Sequence, residues 1–251
     1  MTRYILTAAL VLTASLGPRA AVAEETLESV EAKLLELWAE LDSYAAKLDI
    51  TMTMEQGTMT MKGTGAGIIE VLVKGDNTLY RSEVTMTMAM GGQTMEVETL
   101  TVYDGEFVFT ESEMFGQKMV MKASQSQQPG PALAIGKKAL EEMHKFEVAL
   151  KPEERIGETP TYVIEMTPKA DSFDPARAKL GKIRSYIDKE TGVQIRTTVF
   201  DKAGKEMINE TLSEVKINPE LDEGRFAYEP PEGAQVRDMT QDGFPGMGTS
   251  R

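Results

Sequence analysis

Methionine side chains form the most distinctive chemical pattern in this sequence of 251 residues. Ten of the 17 methionines lie in short segments where methionine alternates with another residue, mostly threonine. Thioether sulfurs bind soft metal ions such as Cu(I), and flexible methionine side chains also line sites for variable apolar ligands. The pattern therefore leaves open a copper site, an apolar binding cavity or a dry core that uses methionine. The ten are Met52, Met54, Met59, Met61, Met86, Met88, Met90, Met95, Met119 and Met121.

Other catalytic or metal-binding patterns are missing from the sequence. It contains no cysteine and a single histidine, His144, whereas copper sites normally add histidine or cysteine ligands. It has no Gly-x-Ser-x-Gly nucleophile motif and no zinc-binding histidine pair. The segment that contains Gly63, Gly65 and Gly67 lacks the Lys-Ser and the helix that complete a phosphate-binding loop. We therefore expect a binding protein without enzyme activity, cofactor or metal.

The alternation itself predicts β-strands. Every second residue of a strand faces the same side of the sheet, so methionines would share one face and threonines the other. Turn sequences at Gly75-Asp76-Asn77, Gly91-Gly92 and Asp104-Gly105 separate these segments. Successive hairpins indicate an antiparallel meander with one apolar face. Four further apolar residues are assigned to these strands: Ile69, Val71, Phe107 and Phe109.

Two segments have the period of an amphipathic helix. Apolar residues spaced by three and four positions predict a helix at residues 27–41, with Thr26 as its N-cap. A second helix is expected at residues 132–145, where Leu133, Leu140 and Met143 would share a face. These apolar faces predict helices that cover the apolar face of the sheet. The stripe of the first helix is Leu27, Val30, Leu34, Leu37 and Leu41.

The first 23 residues have the pattern of a cleaved signal peptide. Arg3 precedes an apolar run at residues 5–16, which is too short to span a bilayer. Ala21-Val22-Ala23 provides the small residues that a signal peptidase recognises, so the mature protein should begin near Glu24. We expect a periplasmic protein, soluble after cleavage, with one domain at residues 24–239 and a disordered tail at residues 240–251.

The rest of the sequence extends the sheet. Gln, Ser, Pro and Gly predict a loop at residues 125–131, and strands resume at residue 146 with a turn at residues 154–160. A short helix is expected near residues 174–181. Phe226, Tyr228 and Val236, which flank Pro230-Pro231, predict a short edge strand. About ten strands in all predict a mainly β fold, one curved sheet whose concave face is covered by helices.

Several motifs, taken in order, resemble those of the periplasmic lipoprotein-carrier (LolA-like) family, also called outer-membrane lipoprotein-sorting proteins. Tyr103-Asp104-Gly105-Glu106 resembles the family's SDGK hairpin, residues 162–170 its LTPKA strand, and residues 226–234 its F-x-F-x-P-P-x-G ending. The opening helix with residues 41–45, and the segment 63–74, are similar to its first helix and long second strand. The Arg-Pro that such carriers commonly have after that strand is replaced by Lys74-Gly75-Asp76.

This resemblance implies an unclosed antiparallel β half-barrel with a helical lid over an apolar cavity. With the methionine pattern, it predicts a monomeric periplasmic carrier that binds acyl chains of lipoproteins or lipids for transport toward the outer membrane. Membrane donor and acceptor proteins would be its partners, whereas a net charge of −13 disfavours nucleic acid. The alternatives are a lipid- or lipoprotein-sensing module of the same fold and a methionine-rich copper-binding protein. The predicted binding residues are the ten methionines with Ile69, Val71, Phe107, Phe109, Leu133 and Leu140.

Overall fold

The computed structural model describes residues 25–56, 59–75, 77–90, 92–114, 117–124, 135–169 and 180–240. The predicted signal peptide, the loop at 125–131, residues 174–179 of the predicted short helix and residues 241–251 lie outside these ranges. The described helices are α1 (Leu27–Ala39), α2 (Lys137–Met143) and a short 3₁₀ helix (Glu223–Phe226). The strands are β1 (Ser43–Gln56), β2 (Met59–Lys74), β3 (Asn77–Met90), β4 (Gln93–Tyr103), β5 (Phe107–Met114), β6 (Gln117–Ser124), β7 (Phe146–Ile156), β8 (Thr159–Pro168), β9 (Leu180–Asp188), β10 (Gln194–Asp201), β11 (Glu206–Ile217) and β12 (Gln235–Asp238).

All twelve strands belong to one unclosed sheet in the order β12-β6-β5-β4-β3-β2-β1-β11-β10-β9-β8-β7. Strands β1 to β6 form the predicted antiparallel meander, and β11 joins the two halves of the sheet by pairing with β1. Only β12 runs parallel to its neighbour β6 among the described strands. The predicted fold class, a mainly β protein with an open antiparallel sheet and helices, is confirmed.

The sheet has an inner face, which the helices partly cover, and an outer face. Under α1, the inner face buries Val30 and Leu34 of the helix together with Ile164 and Ile183 of the sheet. A second buried cluster continues along β1 and β2, where Tyr44 is 3 % exposed. Because adjacent strands place directly paired residues on the same side, these two clusters identify the inner face of every strand that pairs with them.

Helix α1 is fixed at both ends. Thr26 accepts a hydrogen bond from the backbone N–H of Ser29, and Ser29 accepts one from the backbone N–H of Thr26. This reciprocal cap confirms the predicted start of the helix. Near its C-terminus, the indole Nε1 of Trp38 donates to the carbonyl oxygen of Gly192 at 2.9 Å, which attaches the helix to the loop before β10.

The C-terminal segment packs on the outer face instead of forming the predicted strand around Pro230-Pro231. Phe226, which lies in the 3₁₀ helix, is only 2 % exposed. Tyr228 packs against Phe109 with ring centroids 5.1 Å apart, and the Nε of Arg225 donates to Glu70 at 2.8 Å. The edge strand begins later, at Gln235, because residues 227–231 are occupied in crossing the sheet.

Two other predicted boundaries differ from the structure. Helix α2 begins at Lys137, and the Gly136 before it has a left-handed φ of +81° and provides no side-chain cap. The turn expected at residues 154–160 is confined to Gly157 and Glu158, because β7 and β8 continue pairing up to Ile156 and Thr159.

Candidate functional site

Six methionines gather on the inner face of the meander, on strands β1 to β4. Met54 is paired directly with Met61, and Met88 with Met95. Paired residues on one face have Cβ atoms about 5 Å apart, so these side chains are immediate neighbours. We call the set the methionine patch: Met52, Met54, Met61, Met86, Met88 and Met95. All six are half-buried, and they are neither interlocked in a closed core nor turned to the outer face.

The other predicted methionines are placed differently. Met119 and Met121 of β6 share the inner face but are 47 % and 42 % exposed. Thr110 and Ser112 of β5 lie between them and β4, so they form no continuous surface with the methionine patch. The backbones of Met59 and Met90 belong to β2 and β3, but their side chains lie outside what the structure describes.

A strip of three glycines on β2 forms the floor of the methionine patch. Gly63, Gly65 and Gly67 all point to the inner face, since they pair with Met52, Ile50 and Leu48 of β1. A Cβ added to Gly63 would lie 2.8 Å from the Cγ of Met52, and one added to Gly65 would overlap the Sδ of Met86. The methionine side chains therefore lie flat across bare backbone, in space that any larger residue of β2 would fill.

The part of the inner face beneath the helices is nearly closed. Ile69 and Val71 are 4 % and 0 % exposed, so these two predicted binding residues are packed core in this conformation. Leu140 of α2 lines a small cavity between the helices and strands β8 to β10, and Leu133 lies outside the described residues. The cavity measures about 60 Å³, against the several hundred Å³ that a drug-sized ligand occupies.

Phe107 and Phe109 do not join the predicted lining. Phe109 is paired with Val102 and Lys122 on the outer face, whereas Val108 between them takes the inner face opposite Tyr103. Tyr228 covers Phe109, and the Nζ of Lys122 lies 3.6 Å from the ring centroid of Phe107. Phe109 thus packs the C-terminal segment onto the outer face, and Phe107 supports Phe109 by an edge contact between their rings.

A polar line crosses the apolar inner face between the small cavity and the methionine patch. Ser185 of β9, Thr197 of β10 and Glu210 of β11 are paired in sequence, and the next residue in that row is Ile50 of β1. The Oγ of Ser185 is buried, lines the cavity and has no hydrogen-bond partner among the described residues. Thr197 accepts a hydrogen bond from the side-chain amide of Gln194.

Glu210 is the feature of the inner face that the sequence patterns did not predict. Its side chain keeps access to solvent, yet the surrounding protein removes enough water to raise the pKa of the carboxyl group. Tyr80 of β3 faces it across the sheet: burial, Tyr103 and then Glu210 raise the pKa of Tyr80 to about 12. The alternation of Ile208 and Leu212 around Glu210 is the signal that would have placed it inward.

The described residues contain neither a metal-binding cluster nor a membrane-spanning helix. Among them, no group of three or more His, Cys, Asp or Glu side chains is arranged to hold a metal ion. His144 follows α2, where its Nε2 lies 2.8 Å from a carboxylate oxygen of Glu31 on α1. Within the same part of the chain, no helix is long and apolar enough to cross a membrane.

Comparison with known proteins finds similarity only at the level of solved structures. No family model and no curated protein matches this sequence. An uncharacterized conserved protein from Thermus thermophilus is 14 % identical with a TM-score of 0.49, over 84 % of this chain and 98 % of that one. A putative outer membrane lipoprotein-sorting protein domain from Vibrio parahaemolyticus is 12 % identical with a TM-score of 0.38, over 78 % and 95 %.

The LolA superfamily protein NE2245 from Nitrosomonas europaea is 14 % identical with a TM-score of 0.32, over 79 % of this chain and 97 % of that one. The superfamily that the sequence motifs resemble is therefore also represented among the similar solved structures.

Proposed function

We propose that this protein is a periplasmic carrier that binds acyl chains of lipoproteins or lipids on the methionine patch and moves them toward the outer membrane. The observation that supports this most is the patch itself, a half-open apolar surface of flexible side chains over a glycine floor. Methionine side chains can repack around chains of different shape at little cost. The cavity of about 60 Å³ beneath the helices is too small for such a chain, so we assign first contact to the open patch.

Binding is tested with a pyrene-labelled acyl chain that has an uncharged head group, added to delipidated protein. The double variant Met86→Ser, Met88→Ser removes two apolar side chains from the patch. Each loss costs about 1 kcal/mol of apolar contact, so we expect binding to weaken by more than tenfold. The matched control Met119→Ser, Met121→Ser, on the same face but outside the patch, should bind as the wild type does. Equal binding by all three proteins would contradict this assignment of the site.

Transport is tested separately from binding. A carrier accelerates movement of the labelled chain between donor and acceptor vesicles in proportion to its concentration, whereas a sensing module of the same fold binds the chain without transferring it. Mass spectrometry of lipid extracted from the purified protein identifies the natural cargo. Export is tested on protein recovered from the periplasm, whose first residue should be Glu24.

The copper alternative rests on one observation, the directly paired methionines. Met54 with Met61 and Met88 with Met95 place thioether sulfurs on adjacent strands, where two could bind one Cu(I) ion. Titration with Cu(I) under reducing conditions tests it. Tight stoichiometric binding that is lost in the Met88→Leu, Met95→Leu variant would favour a copper function, while unchanged acyl binding in that variant would favour the carrier.

A further inference from the structure

We propose that the inner face selects amphiphiles whose head group carries a protonated amine, and that Glu210 is the residue that recognises it. This inference rests on the proposed function, because it assigns a head-group site next to the surface that would hold the acyl chain. It concerns the chemistry of the ligand, which neither the fold nor the methionine patch determines.

The position of Glu210 is exceptional on this face. Three paired rows run across the sheet at Ile208, Glu210 and Leu212 of β11. The rows of Ile208 and Glu210 extend from β8 to β4, and the row of Leu212 extends from β11 to β6. Among the described residues of these three rows, Glu210 has the one charged side chain. In its own row, Glu210 lies between Thr197 of β10 and Ile50 of β1, and the row continues through Gly65 to Met86.

No basic group of the described chain neutralises this carboxylate. Among the described residues, the side chain of Glu210 has no ion pair and no hydrogen bond, and its electrostatic neighbour is Tyr80, which carries no positive charge. By contrast, Glu165 on the outer face is held by Lys151, Lys182 and Arg184. The carboxylate of Glu210 thus lies exposed on an apolar face with its charge unpaired, where a cationic ligand can reach it.

Distance and charge agree with an amphiphile as that ligand. Glu210 and Met86 are three strands apart in the same row, or roughly 14 Å at the usual strand spacing. An ammonium head at Glu210 would therefore lay its chain across Ile50 and Gly65 onto the methionine patch. An anionic head would meet an unpaired carboxylate in a protein of net charge −13, so the same site would disfavour fatty acids and acidic phospholipids.

The test compares matched C12 amphiphiles, n-dodecylammonium, n-dodecanoate and n-dodecanol, by calorimetry below their micelle concentrations at pH 7.5 and physiological salt. We expect the ammonium compound to bind at least tenfold more tightly than the carboxylate. Glu210→Gln should abolish that preference while leaving dodecanol binding unchanged. Asp49→Asn is the matched control: it removes the same charge from the outer face of the adjacent strand β1 and should keep the preference.

The outcomes separate this inference from the proposed function. Binding of all three amphiphiles with equal affinity would overturn the amine site and leave the carrier intact, and no binding of any would overturn both. If Asp49→Asn lost the preference for the ammonium compound as fully as Glu210→Gln does, the amine site would also be overturned, because the net charge of the protein alone would explain the preference. If Glu210→Gln does not fold, the comparison of the three amphiphiles on the wild-type protein still tests whether an ammonium head group is preferred. Lysophosphatidylethanolamine against lysophosphatidylglycerol then shows whether the preferred amine belongs to a phospholipid head or to a simpler amphiphile.

Discussion

Replacing Gly67 with alanine should destabilise the protein markedly, whereas the same change at Gly65 should cost little. A Cβ on Gly67 would overlap the carbonyl oxygen of Glu83 and lie 2.8 Å from the Cα of Val84, both backbone atoms of β3. A Cβ on Gly65 meets side chains instead, the Sδ of Met86 and the Cγ1 of Val84, the latter at 3.1 Å. Backbone cannot rotate away from the added atom, but the end of a methionine can.

The magnitudes follow from two opposing effects. Alanine in place of glycine stabilises by about 0.5–1 kcal/mol through the smaller entropy of the unfolded chain. Overpacking against a fixed neighbour costs about 1–3 kcal/mol, and more when backbone has to shift. We therefore expect Gly67→Ala to lose about 1–2 kcal/mol in the free energy of unfolding, and Gly65→Ala to remain within about 0.5 kcal/mol of the wild type.

Urea unfolding followed by the fluorescence of Trp38, the single tryptophan, measures both variants, and the slope with urea should not change. Gly65→Ala should in addition weaken binding of the acyl probe, because its methyl group displaces Met86 from the floor of the patch. A Gly67→Ala protein as stable as the wild type, or a Gly65→Ala protein as unstable as Gly67→Ala, would refute the close approach of β3 to β2 on which this reasoning rests.

Three further predictions concern ion pairs and hydrogen bonds outside the patch. Burial would raise the pKa of Glu165, but hydrogen bonds from its three basic neighbours hold it at about 2. Because solvent screens these pairs, Glu165→Gln should lose about 1–2 kcal/mol at pH 7. The deficit should disappear as pH falls from about 4.5 toward 2, measured by urea unfolding at stepped pH. Trp38→Phe leaves the carbonyl of Gly192 without its donor and should cost about 1–2 kcal/mol, measured by circular dichroism during urea unfolding. Tyr228→Phe removes a 2.8 Å hydrogen bond to Glu111; it should cost about 1 kcal/mol at pH 7 and raise the pKa of that carboxyl group, which NMR titration would detect.

Local patterns were sufficient to predict the meander and the first helix. Alternation places Met86 and Met88 on one face whatever the rest of the chain does, and the cap at Thr26 requires only its neighbour Ser29. Which residues of neighbouring strands lie on the same face then follows from the turns, because short hairpin loops set the pairing register. Met54 opposite Met61 is such a case, since both lie close to the hairpin that joins β1 to β2.

Local patterns could not identify which face of β5 points inward. Val108 and Phe109 are 0 % and 9 % exposed, so this strand is buried on both sides and has no polar face to mark the solvent. The outer side is buried because Tyr228, more than a hundred residues later, packs across it. Alternation places Glu210 on the face of Ile208 and Leu212, but its position beside Ile50 depends on the pairing of β11 with β1, between strands distant in sequence. Contacts of this kind are set by topology, which residue spacing does not encode.

The two helices differ in how strongly they hold the covered half of the inner face, and this decides how a bound chain could extend from the methionine patch toward the small cavity. Helix α1 has a reciprocal N-terminal cap, a hydrogen bond from Trp38 to Gly192, and fully buried Val30 and Leu34. Helix α2 has seven residues, no side-chain cap and only Met143 buried. A helix that short has little stability of its own. Displacing α2 therefore costs less free energy than displacing α1, so enlargement of the cavity lined by Leu140 would proceed through α2 while α1 stays in place.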